Sequence, residues 1–193
     1  MKRWIVLVAL FSSSLYAFAP PPVAMIEFDT PGFEGSGCPE SGILNVLDQT
    51  KMIYEIEFSG FTVDVNSAAS TSTRKACHVS IPVTINPGTS VAISRLRYSG
   101  VNELSDGAMA RTSTEVFFAG TRSPMVPKTF SRTGNFFVDV VFSEAEKSWS
   151  SCGARSASLW LSLVNELKNV NETTKSSSKL EGKIIFELEI QRC

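Results

Sequence analysis

The chain has 193 residues, of which 43% are hydrophobic, 19% charged and 10% aromatic, and its formal net charge is −1. A balance this close to neutral excludes electrostatic capture of nucleic acid or of an anionic membrane surface. The length suits one domain with a substantial core.

At the N-terminus, Lys2 and Arg3 precede an apolar run from Trp4 to Phe11 and the small-residue stretch SSSLYAFA. That is the order of a secretory signal peptide. The run is shorter than the roughly 18 residues a membrane span requires, so the mature chain is expected to carry no integral membrane segment. Ala17 and Ala19 form an A-x-A cleavage pattern, although Pro20 would directly follow the cut. Residues 1–19 are therefore assigned to the signal peptide with the cleavage point left open. Residues 20–34 are read as a lead-in and 35–193 as a single domain. The expected location is extracellular, or periplasmic in a Gram-negative host.

Downstream, apolar and polar residues alternate with period two and no long segment keeps a helical period, which predicts an all-β chain. A short strand at Ala24–Phe28 is followed by Ile43–Leu47. Met52–Phe58 alternates Tyr54, Ile56 and Phe58 against Glu55 and Glu57, and Ser59-Gly60 then suggests a hairpin into Phe61–Val65. In the next strand Cys77, Val79, Ile81, Val83 and Ile85 share one face. Pro82 cannot donate to a ladder, so that strand is expected at an edge or with a bulge. Val91–Tyr98, Ala108–Phe118, Phe136–Phe142, Leu159–Val164 and Ile184–Ile190 complete the set. The polar stretch Asn169–Lys179 reads as an exposed loop and holds the glycosylation sequon Asn171-Glu172-Thr173. Strands this many, separated by turn residues, predict a two-sheet β-sandwich, with a jelly roll as the near alternative.

Four cysteines, Cys38, Cys77, Cys152 and Cys193, allow three pairings. The favoured one is Cys38–Cys77 with Cys152–Cys193, closing intervals of 39 and 41 residues. Loops of that size are worth about 4 kcal/mol each in the chain-entropy account. Without a C-x-x-C pair, zinc is the weaker reading.

The order GSGCP (Gly35 to Pro39), STRKACHVSIPV (Ser72 to Val83), WSSCG (Trp149 to Gly153) and a terminal cysteine resembles a secreted family, domain-of-unknown-function family 4360. Pro87-Gly88, Tyr98-Ser99-Gly100 and the FFAG of Phe117 to Gly120 fall where that family carries similar residues. Ser151 stands where the family often has proline, and Gln191-Arg192 where an aromatic is common. The resemblance spans Gly35 to Cys193. It implies an exported, disulfide-bonded β domain and carries over no catalytic residue.

Catalysis finds little to build on. His78 is the only histidine, and a Ser-His-Asp or Cys-His system needs one. Its alternation places it on a polar strand face. Glu55 with Glu57, and Glu187 with Glu189, each share a face as glycosidase acids do, but the solvent side of an amphipathic strand is the default place for such glutamates. Asp29, Glu34 and Glu40 lack the spacing of a calcium loop. No catalytic residue, cofactor or metal is assigned.

The aromatic residues suggest binding instead. Leu159, Leu161 and Leu163 should face the core, which turns Trp160 outward as a sugar-stacking candidate, joined by Tyr54 and Tyr98. Trp149 is expected to pack on the Cys152 disulfide. Phe117-Phe118 and Phe136-Phe137 each offer one ring to either face. The expected function is non-enzymatic: binding of an extracellular polysaccharide or a surface protein, or a structural role at the envelope. A strand-carboxylate hydrolase and a self-associating component are the alternatives.

Overall fold

Alternation builds twelve strands among the residues that the computed structural model describes, namely 26–38, 40–65, 71–170 and 174–193. The signal-peptide assignment, the start of the Ala24–Phe28 strand and the sequon lie outside the described residues. In chain order the strands are β1 (Ile26–Phe28), β2 (Gly32–Glu34), β3 (Gly42–Asp48), β4 (Ile53–Phe58), β5 (Thr62–Val65) and β6 (Ser72–Ile85). They continue with β7 (Thr89–Glu103), β8 (Met109–Phe118), β9 (Val126–Phe130), β10 (Gly134–Val141), β11 (Ser156–Lys168) and β12 (Ser176–Arg192).

Two antiparallel sheets form the sandwich. Sheet 1 runs β1-β6-β11-β8-β9, with β2 also on β6, and sheet 2 runs β10-β7-β12-β4-β3, with β5 also on β12. Without the added edge strands these reduce to β6-β11-β8-β9 and β4-β12-β7-β10. The chain crosses between sheets at most connections, so strands distant in sequence become neighbours. This is jelly-roll winding, the variant of the sandwich that alternation left open. Val79, Ile81, Leu159 and Leu161 of sheet 1 meet Ile56, Leu96, Ile184 and Phe186 of sheet 2, each fully buried. A smaller cluster of Val63, Val65, Ala110 and Leu167 fills one end.

Both expected disulfides are present, with Cα atoms 4.6 Å apart in Cys38–Cys77 and 5.9 Å apart in Cys152–Cys193. They are consistent with an oxidising, extracellular compartment. The Cys193 backbone also donates to Gly88 O at 3.0 Å.

Four local expectations change. Residues 52–65 do not form a hairpin: β4 and β5 lie in line along β12, their partners descending from Glu187–Lys183 to Lys179–Ser176. Ser59-Gly60 is a kink in that line, where Gly60 and Gly182 let two backbones approach too closely for any Cβ. Pro82 is on an interior strand, not an edge. Its carbonyl accepts from Asp29 N at 3.0 Å, so its missing N–H falls in the break between β1 and β2, where no ladder bond is lost. Within the lead-in, the described residues 26–34 carry β1 and β2, which pair with β6 in sheet 1. The polar stretch 169–179 already contains β12, because Ser176 and Ser178 are buried and Asn165 Nδ2 donates to Ser178 O at 3.1 Å.

Candidate functional site

Sheet 1 has an outer side built by the even-numbered residues of β6 and β11 and the odd-numbered residues of β8, of which Ser113, Ser162 and Val164 are buried by their neighbours. The β11 register sets Trp160 beside Ser80 on one side and Phe117 on the other. Gly32 of β2 lies beyond Ser80, so one cross-strand row reads Gly32, Ser80, Trp160, Phe117. The Trp160 and Phe117 rings are half-buried and parallel to within 9°, with centroids 6.5 Å apart. Together they make one apolar shelf. The adjoining row is polar: Glu34, His78, Ser162 and Glu115. Trp160 thus has the outward position that alternation predicts. Its partner Phe117 follows from register, which no local pattern encodes.

Tyr54 and Tyr98 are elsewhere. Tyr54 is 3% exposed and stacks on Phe186 at 5.5 Å, because β4 turns its even positions to the core. Tyr98, also 3% exposed, spans the gap between the sheets, its hydroxyl within 3.0 Å of Thr112 Oγ1 and 2.9 Å of Thr114 Oγ1. Burial pushes its phenol above the usual tyrosine range. Neither ring has a face free for a ligand next to Trp160. Trp149 has the Lys147 ammonium 6.0 Å from its ring centre. Of the phenylalanine pairs, Phe118 and Phe136 point inward, whereas Phe137 is 65% exposed on the outside of sheet 2.

The strand carboxylates are arranged as counter-ions. Lys183 Nζ lies 3.6 Å from both Glu55 and Glu57, and Arg97 reaches Glu187 at 2.6 Å. Glu189 pairs with Lys147 at 2.6 Å, and hydrogen bonds from Lys147 to Glu144 and Glu189 raise the ammonium pKa. Arg95 contacts Asp139 at 2.5 Å and holds that carboxyl below its usual range. These groups cover the outer face of sheet 2 as a lattice of alternating charge, not as an acid and nucleophile facing each other across a cleft. His78 is exposed between Glu34 and Ser162. Among the described residues no three His, Cys, Asp or Glu side chains converge to hold a metal ion, Asp29, Glu34 and Glu40 included.

One open cleft of about 740 Å³ runs between the edge strands of the two sheets, with Phe28, Leu44 and Tyr54 in its lining and Glu27 and Asp29 as its charged members. Ile43 and Val46 of β3 stand exposed at 66% and 58% beside it.

No curated protein matches the chain. A solved structure of TmCBM61 in complex with beta-1,4-galactotriose is similar over 80% of this chain and 88% of that one, at 10% identity and a TM-score of 0.35. That likeness is too slight to bear on ligand or mechanism. The cysteine contexts are the stronger marker: the family model described as "Domain of unknown function (DUF4360)" matches residues 24–193, and the chain belongs to that family.

Proposed function

We propose that this protein is an exported, non-enzymatic binding module that holds an extracellular polysaccharide against the outer face of sheet 1. The observation that supports this reading is the parallel Trp160–Phe117 pair on a solvent-facing sheet, bordered by hydroxyl and carboxylate groups. Sugar rings present an apolar C–H face and a rim of hydroxyls. An aromatic shelf takes the first and polar neighbours take the second. The shelf stands on three ladder-bonded strands, so little ordering is needed on binding. The hydrolase alternative has weaker support, since the shared-face glutamates are engaged by Lys183, Arg97 and Lys147.

Affinity electrophoresis of the mature protein in gels containing soluble polysaccharides tests the reading. Retardation by at least one neutral polysaccharide is expected, weakened tenfold or more by Trp160→Ala and by Phe117→Ala with circular dichroism unchanged. Retardation that both variants leave intact, or none with any polysaccharide, refutes it.

A further inference from the structure

We infer that the ligand is a linear, uncharged glycan that lies across the strands, along the row from Gly32 to Phe117, and that Ser80 and Glu115 fix its register. This inference rests on the carbohydrate reading above and specifies direction, extent and charge.

The direction comes from the row itself. Gly32, Ser80, Trp160 and Phe117 belong to four successive strands, β2, β6, β11 and β8, and are joined by ladder pairing. Three steps of about 4.8 Å make a track of about 14 Å, longer than one sugar ring. One end of the track is low because Gly32 has no side chain. A Cβ placed there would stand 2.9 Å from Ser80 Oγ. Glycine therefore leaves the Ser80 hydroxyl uncovered at the end of the shelf, where it can donate to or accept from a sugar hydroxyl. Along the strands the neighbours differ. Two residues on, about 7 Å away, stand Glu34, His78 and Glu115, which form a polar wall beside the track, with Ser162 buried between His78 and Glu115.

The charge of the ligand follows from that wall. Within the two rows the formal charges are those of Glu34 and Glu115. Arg74 and Arg111 lie four residues further along β6 and β8, in register with Glu166, whose carboxylate Lys168 contacts at 3.3 Å, and Arg122 lies beyond the turn that follows β8. Carboxylates accept hydroxyl hydrogens in strong, charge-assisted bonds but repel a uronate or phosphate. The track and its wall thus select against acidic polysaccharides.

Isothermal titration with cellulose-, laminarin- and chitin-derived oligosaccharides of increasing length, and with oligogalacturonate, tests the inference. Affinity is expected to rise beyond the monosaccharide and level off at a short oligomer. Gly32→Ala and Ser80→Ala should each weaken binding about three- to tenfold, the equivalent of one hydrogen bond, with melting temperature unchanged. Glu115→Gln should weaken binding of the neutral oligomer and raise affinity for oligogalacturonate. Should glycans bind through Trp160 but saturate with a single sugar, ignore Gly32→Ala and Ser80→Ala, or favour oligogalacturonate, this inference fails and the carbohydrate reading stands. Should no glycan bind, both fail.

Discussion

Tyr98→Phe removes one oxygen from the middle of the sandwich. Tyr98 belongs to sheet 2, and its hydroxyl bonds Thr112 and Thr114 of sheet 1 at 3.0 and 2.9 Å, with both threonines 1% exposed. Water cannot replace the lost group. A neutral hydrogen bond contributes about 1 kcal/mol net, and stranding a buried hydroxyl costs about 1–3 kcal/mol. The expected loss is about 2–3 kcal/mol, which for a chain of this size lowers the melting temperature by about 5–10 °C. Urea unfolding of the oxidised protein, followed by tryptophan fluorescence, should show a lower midpoint with the slope unchanged. A second measurement uses pH. Burial raises the folded phenol, so its contribution is complete below the ordinary tyrosine value of about 10 and is lost as pH climbs from there toward the folded value. The variant has no such loss at this position, so the stability gap should narrow in alkali. A loss below about 0.5 kcal/mol at neutral pH, or a gap that stays constant, would refute the inter-sheet role.

Gly182→Ala would place a Cβ 1.6 Å from the carbonyl oxygen of Phe58, so destabilisation by about 3 kcal/mol or more is expected in the same urea assay. The Cys152–Cys193 cysteines are exposed whereas Cys77 is 1% exposed, so mild reduction and alkylation should label Cys152 and Cys193 first by mass spectrometry. Replacing that pair with serines should cost about 2–4 kcal/mol. Asp139→Asn removes a partly exposed pair with Arg95 and should cost less than about 1 kcal/mol. The depressed Asp139 carboxyl contributes above its ordinary value of about 3.9, so the difference should vanish as pH falls below it and also in concentrated salt.

Where one face of a strand is buried, the sequence was a sufficient guide. The run Cys77, Val79, Ile81, Val83, Ile85 and the leucines of β11 face the core as their alternation requires. Both disulfides were legible as well. What lay beyond local pattern was pairing. Ser59-Gly60 has the composition of a turn, yet its glycine serves a close crossing with Gly182 more than a hundred residues away. β2 and β9 were missed because Gly32-Phe33-Glu34 is too short and Val126-Pro127 too interrupted to signal a strand, and each exists through its neighbour's ladder. The same limit applies to the candidate site. Trp160 could be placed on a face, but its association with Phe117, Ser80 and Gly32 is a matter of register between distant segments. Tyr54 shares the apolar face of β4 with Ile56 and Phe58, so alternation already marked it as core, whereas Tyr98 follows a register shift in β7 that moves the buried face from Val91 and Ile93 to Leu96 and Tyr98.

The last strand has a consequence for how the molecule comes into being. β12 lies in the centre of sheet 2, paired with β7 along nearly its full length and with both β4 and β5 on its other side. Until Ser176–Arg192 leaves the ribosome, β7 and β4 have no common partner and sheet 2 cannot close. A nascent chain that still lacks these residues is thus kept from completing sheet 2 by its own topology. Cys193, at the end of this strand, then joins Cys152 only once the sheet it completes is in place.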